Sequence, residues 1–442
     1  MTPKHEAATG CVVYWFRHDV RLHDNPALLA ACAQAGRRRQ PLHLVFVHDE
    51  RLQQPTPWGF QRQAAQQACW WRMALDDLAT QLRERGQQLV EYHGAPATVI
   101  RDVVATLGAD DVWCEAIHAP EEEADIAALR GCGVTVHTVL QSTLIAPDDL
   151  PFDPQQVPDT FTTFRQVLER HGIREAVACP APDTLPPPVP AGAQHALHTA
   201  CSDGVKPDPR GSFPWDQPAF HGGERAALQH VHDYCRGGLP HTYKATRNAL
   251  TGVAHSSKWS PWLATGALSP RYAMAQVRAF EAAQGANDGT YWLWFELLWR
   301  DHFRWLHLKH GRALYRWRGL AHEAPPPPSL RAQGLRRWCD GRTGHDLIDA
   351  GMRELALTGY VSNRMRQILA SYLIHDLGMD WRAGAAWFES RLIDYDVHSN
   401  HGNWLYISGR GTDPRGGRRF NPDKQAQDHD PHRHYRDRWL TP

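Results

Sequence analysis

The chain carries no excess charge: 48 Lys and Arg balance 48 Asp and Glu over 442 residues. The whole-molecule field therefore announces no nucleic-acid partner, and any DNA-contacting surface must be a local patch. No apolar run approaches the ~18 residues of a membrane span, and the opening MTPKHEAATG has no apolar signal core, so a membrane role is not expected. Nine cysteines are scattered singly with no CxxC, which predicts reduced thiols in a cytoplasmic protein. Only Cys235 and Cys339 lie beyond position 201, which excludes a four-cysteine iron–sulfur site in the C-terminal half. There is no HExxH among the 27 histidines, and the densest cluster, HDPHRHY at 429–435, reads as surface. No metal site is expected. No GxGxxG follows the first apolar run, which argues against a dinucleotide-binding Rossmann unit, and no internal repeat is present.

What is present falls into three parts. Residues 11–139 alternate β-rich runs (11–16, 41–48, 88–93, 111–116, 134–140) with amphipathic segments. That alternation predicts an α/β domain over 1–140, a parallel five-stranded sheet with flanking helices. Its first helix is expected to start at Asp24, with Pro26 in the first turn, where a missing N–H costs nothing. Residues 141–211 accumulate Pro and Gly, notably at 180–192, and read as a connector with one helix near 157–172. From 212 to 442 the pattern is all-α, interrupted by APPPPS at 324–329. Of the 18 tryptophans, 13 lie at or after position 215. That is more than helix packing needs, because indole is bulky and its N–H wants a partner, so a π-ligand or electron-transfer role is indicated.

The densest information lies between Asn363 and Trp404. Apolar Met365, Ile368, Leu369, Tyr372 and Leu373 recur at helical spacing over 363–377, Gly378 ends the helix, and Asp380 caps the next one before Trp381. Polar residues, a carboxylate pair and tryptophans stand in an apolar setting, across two helices and an expected loop that holds Asn400 in an SNHGN turn. Such a setting suits a buried, redox-active aromatic cofactor. Further motifs are YWFRHDVRLHDNPAL (14–28), YKATRNALTG (243–252), SSKWSPWLATGALSPR (256–271), FELLWRDHFRW (295–305), GMRELALTGYVSNR (351–364) and GTDPRGGRRFNPDKQAQDHDP (411–431). Together they resemble the photolyase/cryptochrome family over nearly the whole chain, and within it the DASH cryptochromes.

The resemblance implies FAD as cofactor, with Arg366 and Asp394 flanking the isoalloxazine and Asn400 facing flavin N5; the plain alternatives are a structural ion pair and a turn asparagine. It implies that Ser256, Ser257, Lys258, Trp259 and Ser260 form a pyrophosphate loop, against the alternative of a simple helix cap at Ser260. Tyr243, Arg300, Asn363 and Asp396 are further cofactor residues by motif position. His255 and His398 depart from the family pattern. Glu296 and Trp299 match residues that touch a pyrimidine dimer, although Glu296 and Arg300 also have the spacing of an i,i+4 ion pair. Asn363, Gln367 and Tyr406 complete the expected dimer site. Gln367 and Tyr406 stand where standard photolyases have Met and Trp, which implies less stacking and a preference for single-stranded DNA.

Trp404 and Trp381 match the first two members of an electron-hopping chain, with Trp317 and Trp338 as candidates for the last. Arg364, Arg415, Arg418, Arg419 and Lys424 are expected to contact DNA phosphates, the alternative being a solvated loop. Glu121 and Glu122 fall near antenna-contacting positions, for which a folate (methenyltetrahydrofolate) is a candidate; a bare acidic helix start is the alternative. The leading expectation is a monomeric, cytoplasmic, light-driven lyase acting on pyrimidine dimers. A photoreceptor without turnover and a nucleic-acid-binding flavoprotein without either activity compete with it.

Overall fold

The computed structural model describes residues 10–190, 205–321, 332–413 and 415–441. Five strands, β1 Val12–Phe16, β2 Leu42–Asp49, β3 Leu89–Gly94, β4 Asp111–Glu115 and β5 Val136–Val139, pair in parallel in the order β3-β2-β1-β4-β5. Each lies within two residues of its expected bounds. Four helices cover the sheet: α1 Pro26–Arg38, α2 Ala65–Glu84, α3 Pro96–Leu107 and α4 Pro120–Gly131. Side chains alternate across a strand, so β1 feeds two cores. Val12, Tyr14 and Phe16 pack with Leu28 of α1 and Leu75 of α2, while Val13 and Trp15 pack with Ile100 of α3 and Ile126 of α4.

The first helix starts two residues later than expected. Asn25 is its cap, accepting from the Leu28 N–H at 3.1 Å, and Pro26 takes the first helical position. Asp24 has φ +45° and faces the helical half of the chain, where it pairs with Arg271 at 2.8 Å and accepts from Ser269 Oγ. Glu224 makes a similar bridge, accepting the N–H groups of Leu22 and His23 at 2.8 and 2.9 Å. A buried carboxylate needs such partners, so these bridges tie the sheet's loop to the helices. Seven of the cysteines among the described residues are free thiols.

The connector's helix is α5 Phe161–Arg170, inside the expected 157–172. The Pro-rich segment returns to the sheet, where Leu42 N–H donates to the Pro187 carbonyl at 2.9 Å. Positions 191–192 of that stretch and the APPPPS segment lie outside the described residues.

The remaining helices are α6 Glu224–Arg236, α7 Tyr243–Thr246, α8 Ser260–Thr265, α9 Pro270–Gln284, α10 Asp288–His310, α11 Ala332–Cys339, α12 Asp346–Thr358, α13 Asn363–Ser371, α14 Trp381–Arg391, α15 Val397–Ser408, α16 Pro422–His429 and α17 His434–Leu440. The long α10 opens with a capping box between Asn287 and Thr290. Past α13 the chain makes a π-helical turn at Tyr372–Asp376, Gly378 has φ +62°, and Asp380 caps α14 by accepting from Arg382 N–H at 2.9 Å.

The segment after α14 corrects the expectation. Asn400 is not in a turn but inside α15. Asp396 caps this helix, accepting from Ser399 N–H at 2.8 Å, and Gly402 lets it lie against α10: a Cβ there would meet the Phe303 ring at 2.1 Å. Close packing thus overrides the low helix propensity of SNHGN. No helix among the described residues is long and apolar enough to cross a membrane.

Candidate functional site

Elements α5, α7, α8, α10, α13 and α15 enclose a cavity of about 560 Å³. Most of the singled-out residues line it: Tyr243, Ser256 to Ser260, Glu296, Trp299, Arg300, Asn363, Arg366, Gln367, Tyr406 and Arg415.

The 256–260 loop lines the cavity, and Lys258 at its centre adopts φ +59°. Its side chain is 5% exposed, and its ammonium lies 5.2 Å from the Tyr360 ring centre. Burial lowers the Lys258 pKa to about 8, against the opposing pull of Glu354. No ion pair involves it among the described residues, so this buried cation suits an anionic ligand. Ser260 is the first residue of α8; Trp259 precedes it and no side chain caps the helix, so the simple-cap alternative does not hold.

Arg366 lines the cavity and donates to Asp394 Oδ2 at 2.8 Å. The Asp394 side chain is 1% exposed, and its other oxygen has no partner. Arg300 does not pair with Glu296. It donates to the carbonyls of Ser142 and Leu263, and burial, reinforced by Arg304, lowers its pKa to about 9. Asp396 lies away from the cavity lining. Burial opposes its charge, yet Arg304, at 2.5 Å, holds its carboxyl well below the usual range. Asn400 is buried and donates to the Ala385 carbonyl of α14 at 3.0 Å; it too is outside the lining.

Glu296 is half-buried and forms an ion pair with Arg247, whose guanidinium lies 4.4 Å from the Trp292 ring centre. Burial raises the Glu296 pKa and Arg247 pulls it back. Trp299 stacks on Phe161 with ring centres 3.8 Å apart and meets Tyr406 edge-on at 5.7 Å. Arg247 and Phe161 were not among the sequence candidates. Arg247 follows Tyr243 by one helical turn, a spacing that could have flagged it. Phe161 sits on the connector helix, and no local signal places that helix against α10.

The basic residues divide. Arg415 lines the cavity, and Arg418 lies 5.1 Å from the Tyr406 ring centre, both also pairing with Asp413 at 3.1 and 3.3 Å. Arg419 pairs with Asp376 at 2.9 Å, Arg364 donates to Asn248 at 3.0 Å, and Lys424 is exposed on α16. Glu121 pairs with Arg62 at 2.8 Å, and Arg62 also reaches Glu389 of α14 at 2.7 Å, so this carboxylate belongs to a bridge between the sheet domain and the helices. Burial raises the neighbouring Glu122 carboxyl.

Trp404 packs its ring onto α14 at Gly384, where a Cβ would meet it at 2.1 Å, and stands 6.5 Å from the Trp338 ring. Trp381 donates to the Trp317 carbonyl at 3.0 Å. Trp338 is fully buried, whereas Trp317 is part-exposed beneath the Arg410 guanidinium, 3.4 Å from its ring centre.

A parallel-sheet domain is thus joined to helices that hold a polar-lined cavity. The family profile described as DNA photolyase matches residues 12–187, and that described as the FAD binding domain of DNA photolyase matches residues 292–442. A cryptochrome DASH of Vibrio parahaemolyticus is 39% identical over 436 residues, spanning 97% of this chain and 92% of the relative. The crystal structure of a Synechocystis cryptochrome superposes with a TM-score of 0.90 at 37% identity, over 98% of this chain and 89% of that one. A bacterial class III photolyase from Agrobacterium tumefaciens gives 0.78 at 27% identity, over 100% and 88%. The chain belongs to the photolyase/cryptochrome family, among the DASH-type cryptochromes, and FAD is its cofactor. The cavity fits that group: the buried Lys258 ammonium and the serine hydroxyls suit a pyrophosphate, and the Arg366 guanidinium, held by Asp394 behind the lining, presents a cation on the opposite wall.

Proposed function

We propose that the chain is a blue-light-driven lyase that opens cyclobutane pyrimidine dimers, preferentially in single-stranded DNA. The observation that carries this reading is that one cavity is lined both by the 256–260 loop with Arg366 and by Glu296 with Trp299. Cofactor and dimer would then face each other in a single space. Reduced FAD, held between the 256–260 loop and Arg366, would supply the light-excited electron that dimer opening requires.

The protein's own residues hold and orient. Ser256, Ser257, Lys258, Trp259, Ser260 and Tyr243 hold the phosphate side of the cofactor. Arg366, fixed by Asp394, and Asn363 hold its ring side. Arg300, Asp396 and Asn400 support these walls through their neighbours. Trp299, locked by its stack on Phe161, offers a face to the dimer, and Glu296, when protonated, donates a hydrogen bond to a base carbonyl. Gln367 and Tyr406 line the same space with polar edges rather than broad apolar faces. Arg364, Arg415, Arg418, Arg419 and Lys424 would meet phosphates, and single strands avoid the cost of extruding two paired bases.

A folate antenna that used Glu121 would have to displace Arg62 from that carboxylate. A photoreceptor reading draws on Trp404, Trp381 and the surface-reaching Trp317, which would refill the flavin with electrons whether or not DNA is repaired. The test is loss of dimers from single-stranded oligonucleotides by the reduced holoprotein. Loss that requires light, and that falls in Glu296→Ala and Trp299→Ala, supports the lyase. Normal flavin photoreduction with no dimer loss moves the assignment to the photoreceptor.

A further inference from the structure

Asn403 of α15 lines the main cavity, although it was not among the sequence candidates. Ser399 and Tyr406 line it too, and the three have the i, i+4, i+7 spacing of one helix face. Its neighbours place Asn403 along that face. Gly402, the residue before it, lies so close to Phe303 that a Cβ would meet the ring at 2.1 Å, and Phe303 stands 5.5 Å from Trp299 between ring centres. Tyr406, one turn on, meets Trp299 at 5.7 Å. Asn403 thus belongs to the Trp299 end of the cavity.

The amide of Asn403 is held in one orientation. Its side chain lies 2.7 Å from the Ser399 carbonyl, and a carbonyl can only accept, so the atom that faces it is Nδ2. That leaves Oδ1, a hydrogen-bond acceptor, with no partner among the described residues. Asn403 is exposed, so an incoming group can reach this oxygen. A group that meets it must bring an N–H or O–H. Across the cavity on α10, Glu296 stands one turn before Trp299 and, when protonated, is a donor. The same end of the cavity therefore offers one fixed acceptor and one donor.

We infer that Asn403 is a specificity-determining residue of the dimer site: its Oδ1 accepts the N3–H of one pyrimidine of the dimer, so dimers with thymine or uracil at that position bind in preference to those with cytosine. An extruded base is read by hydrogen bonds to its Watson–Crick edge. On thymine and uracil that edge carries a carbonyl beside the N3–H, the acceptor and donor that Glu296 and Asn403 complement. Cytosine has a lone pair at N3 instead, which would oppose Oδ1. A site built to meet an N–H discriminates strongly against an analogue that lacks it, because its own acceptor is left unpaired. The inference rests on the reading of the main cavity as the dimer site.

The experiment measures dark binding of the holoprotein to single-stranded oligonucleotides with one thymine dimer, either unmodified or methylated at N3 of its 5′ or its 3′ base. One of the two methylated substrates should bind about tenfold more weakly than the unmodified one, the order expected for an acceptor left without its donor. A uracil dimer keeps the N3–H and should bind like the thymine dimer; cytosine at the sensitive position should bind like the methylated base. Asn403→Ala should bind the unmodified dimer at the weaker level, and methylation at that position should cost it nothing more. Its flavin content and absorbance should match the wild type. Equal binding of the unmodified and both methylated dimers overturns the inference, as does a methylation effect that persists in full in Asn403→Ala. A shifted flavin spectrum in that variant with discrimination intact overturns it too, since Asn403 would then face the cofactor. Light-dependent repair separates the two readings. If the unmodified dimer is repaired without any dependence on N3, only the role of Asn403 falls; if no dimer is bound or repaired, the dimer-site reading falls and the inference with it.

Discussion

Arg247 and Glu296 form an ion pair in the wall of the main cavity, with the Arg247 guanidinium held over Trp292. Burial favours the protonated carboxyl and Arg247 favours the charged one, so the pair sets whether Glu296 can donate a hydrogen bond.

This gives a pH prediction. Repair that needs protonated Glu296 falls as pH rises through the folded pKa of that group. Arg247→Gln removes the partner that lowers this value, so the fall should move to higher pH, measured at saturating substrate to separate it from weaker DNA binding. Glu296→Gln should remove the fall altogether. Stability carries the same sign: the folded pKa is raised, so the contribution is fully present below the unfolded value and is lost as pH rises through the folded one. An unchanged pH profile in Arg247→Gln would show that the pair does not control the acid.

Asp394→Ala leaves the Arg366 guanidinium without its carboxylate. Breaking a buried pair costs about 3–5 kcal/mol, and the cost here should fall at or below the lower end because the Arg366 side chain is 22% exposed. Urea denaturation should record that loss, and the ratio of flavin to protein absorbance should drop. Full occupancy with unchanged stability would remove Asp394 from the cofactor site.

Gly384→Ala should destabilise, although Gly→Ala in a helix ordinarily gains about 1 kcal/mol. The added methyl would stand 2.1 Å from the Trp404 ring and 2.5 Å from Leu373, so overpacking of about 1–3 kcal/mol should win. Chemical denaturation gives the sign.

Trp404→Phe and Trp317→Phe should each slow flavin photoreduction by an external donor, while repair by chemically reduced protein survives. Trp338→Phe should leave photoreduction intact, because that ring is fully buried and offers no exit to solvent. Transient absorption of the three variants ranks them; a block in Trp338→Phe alone would reverse the assignment of the last member.

The sheet and the capping of α14 were legible in the sequence because each is coded locally, by alternation or by a breaker followed by a cap residue. The cavity-lining residues were legible as motifs: Ser256 to Ser260, Glu296, Trp299 and Arg366 all meet in one space. What escaped was tertiary. Asp24 reads as a helix start but is drawn away by Arg271, 247 positions later in the chain. Asn400 reads as a turn residue but is held in a helix by the Asp396 cap and the fit of Gly402 against Phe303. The Arg247–Glu296 pair spans 49 positions and displaces the i,i+4 pair that spacing offers.

The most direct test compares initial rates of light-dependent repair for the same dimer in a single strand and in a duplex, over a range of salt. The account predicts faster repair of the single strand, binding that weakens as salt rises because phosphate contacts release counterions, and a narrower gap in the double variant Gln367→Met with Tyr406→Trp. Equal rates on both substrates, or no light-dependent repair of either by protein that holds reduced FAD, would contradict it.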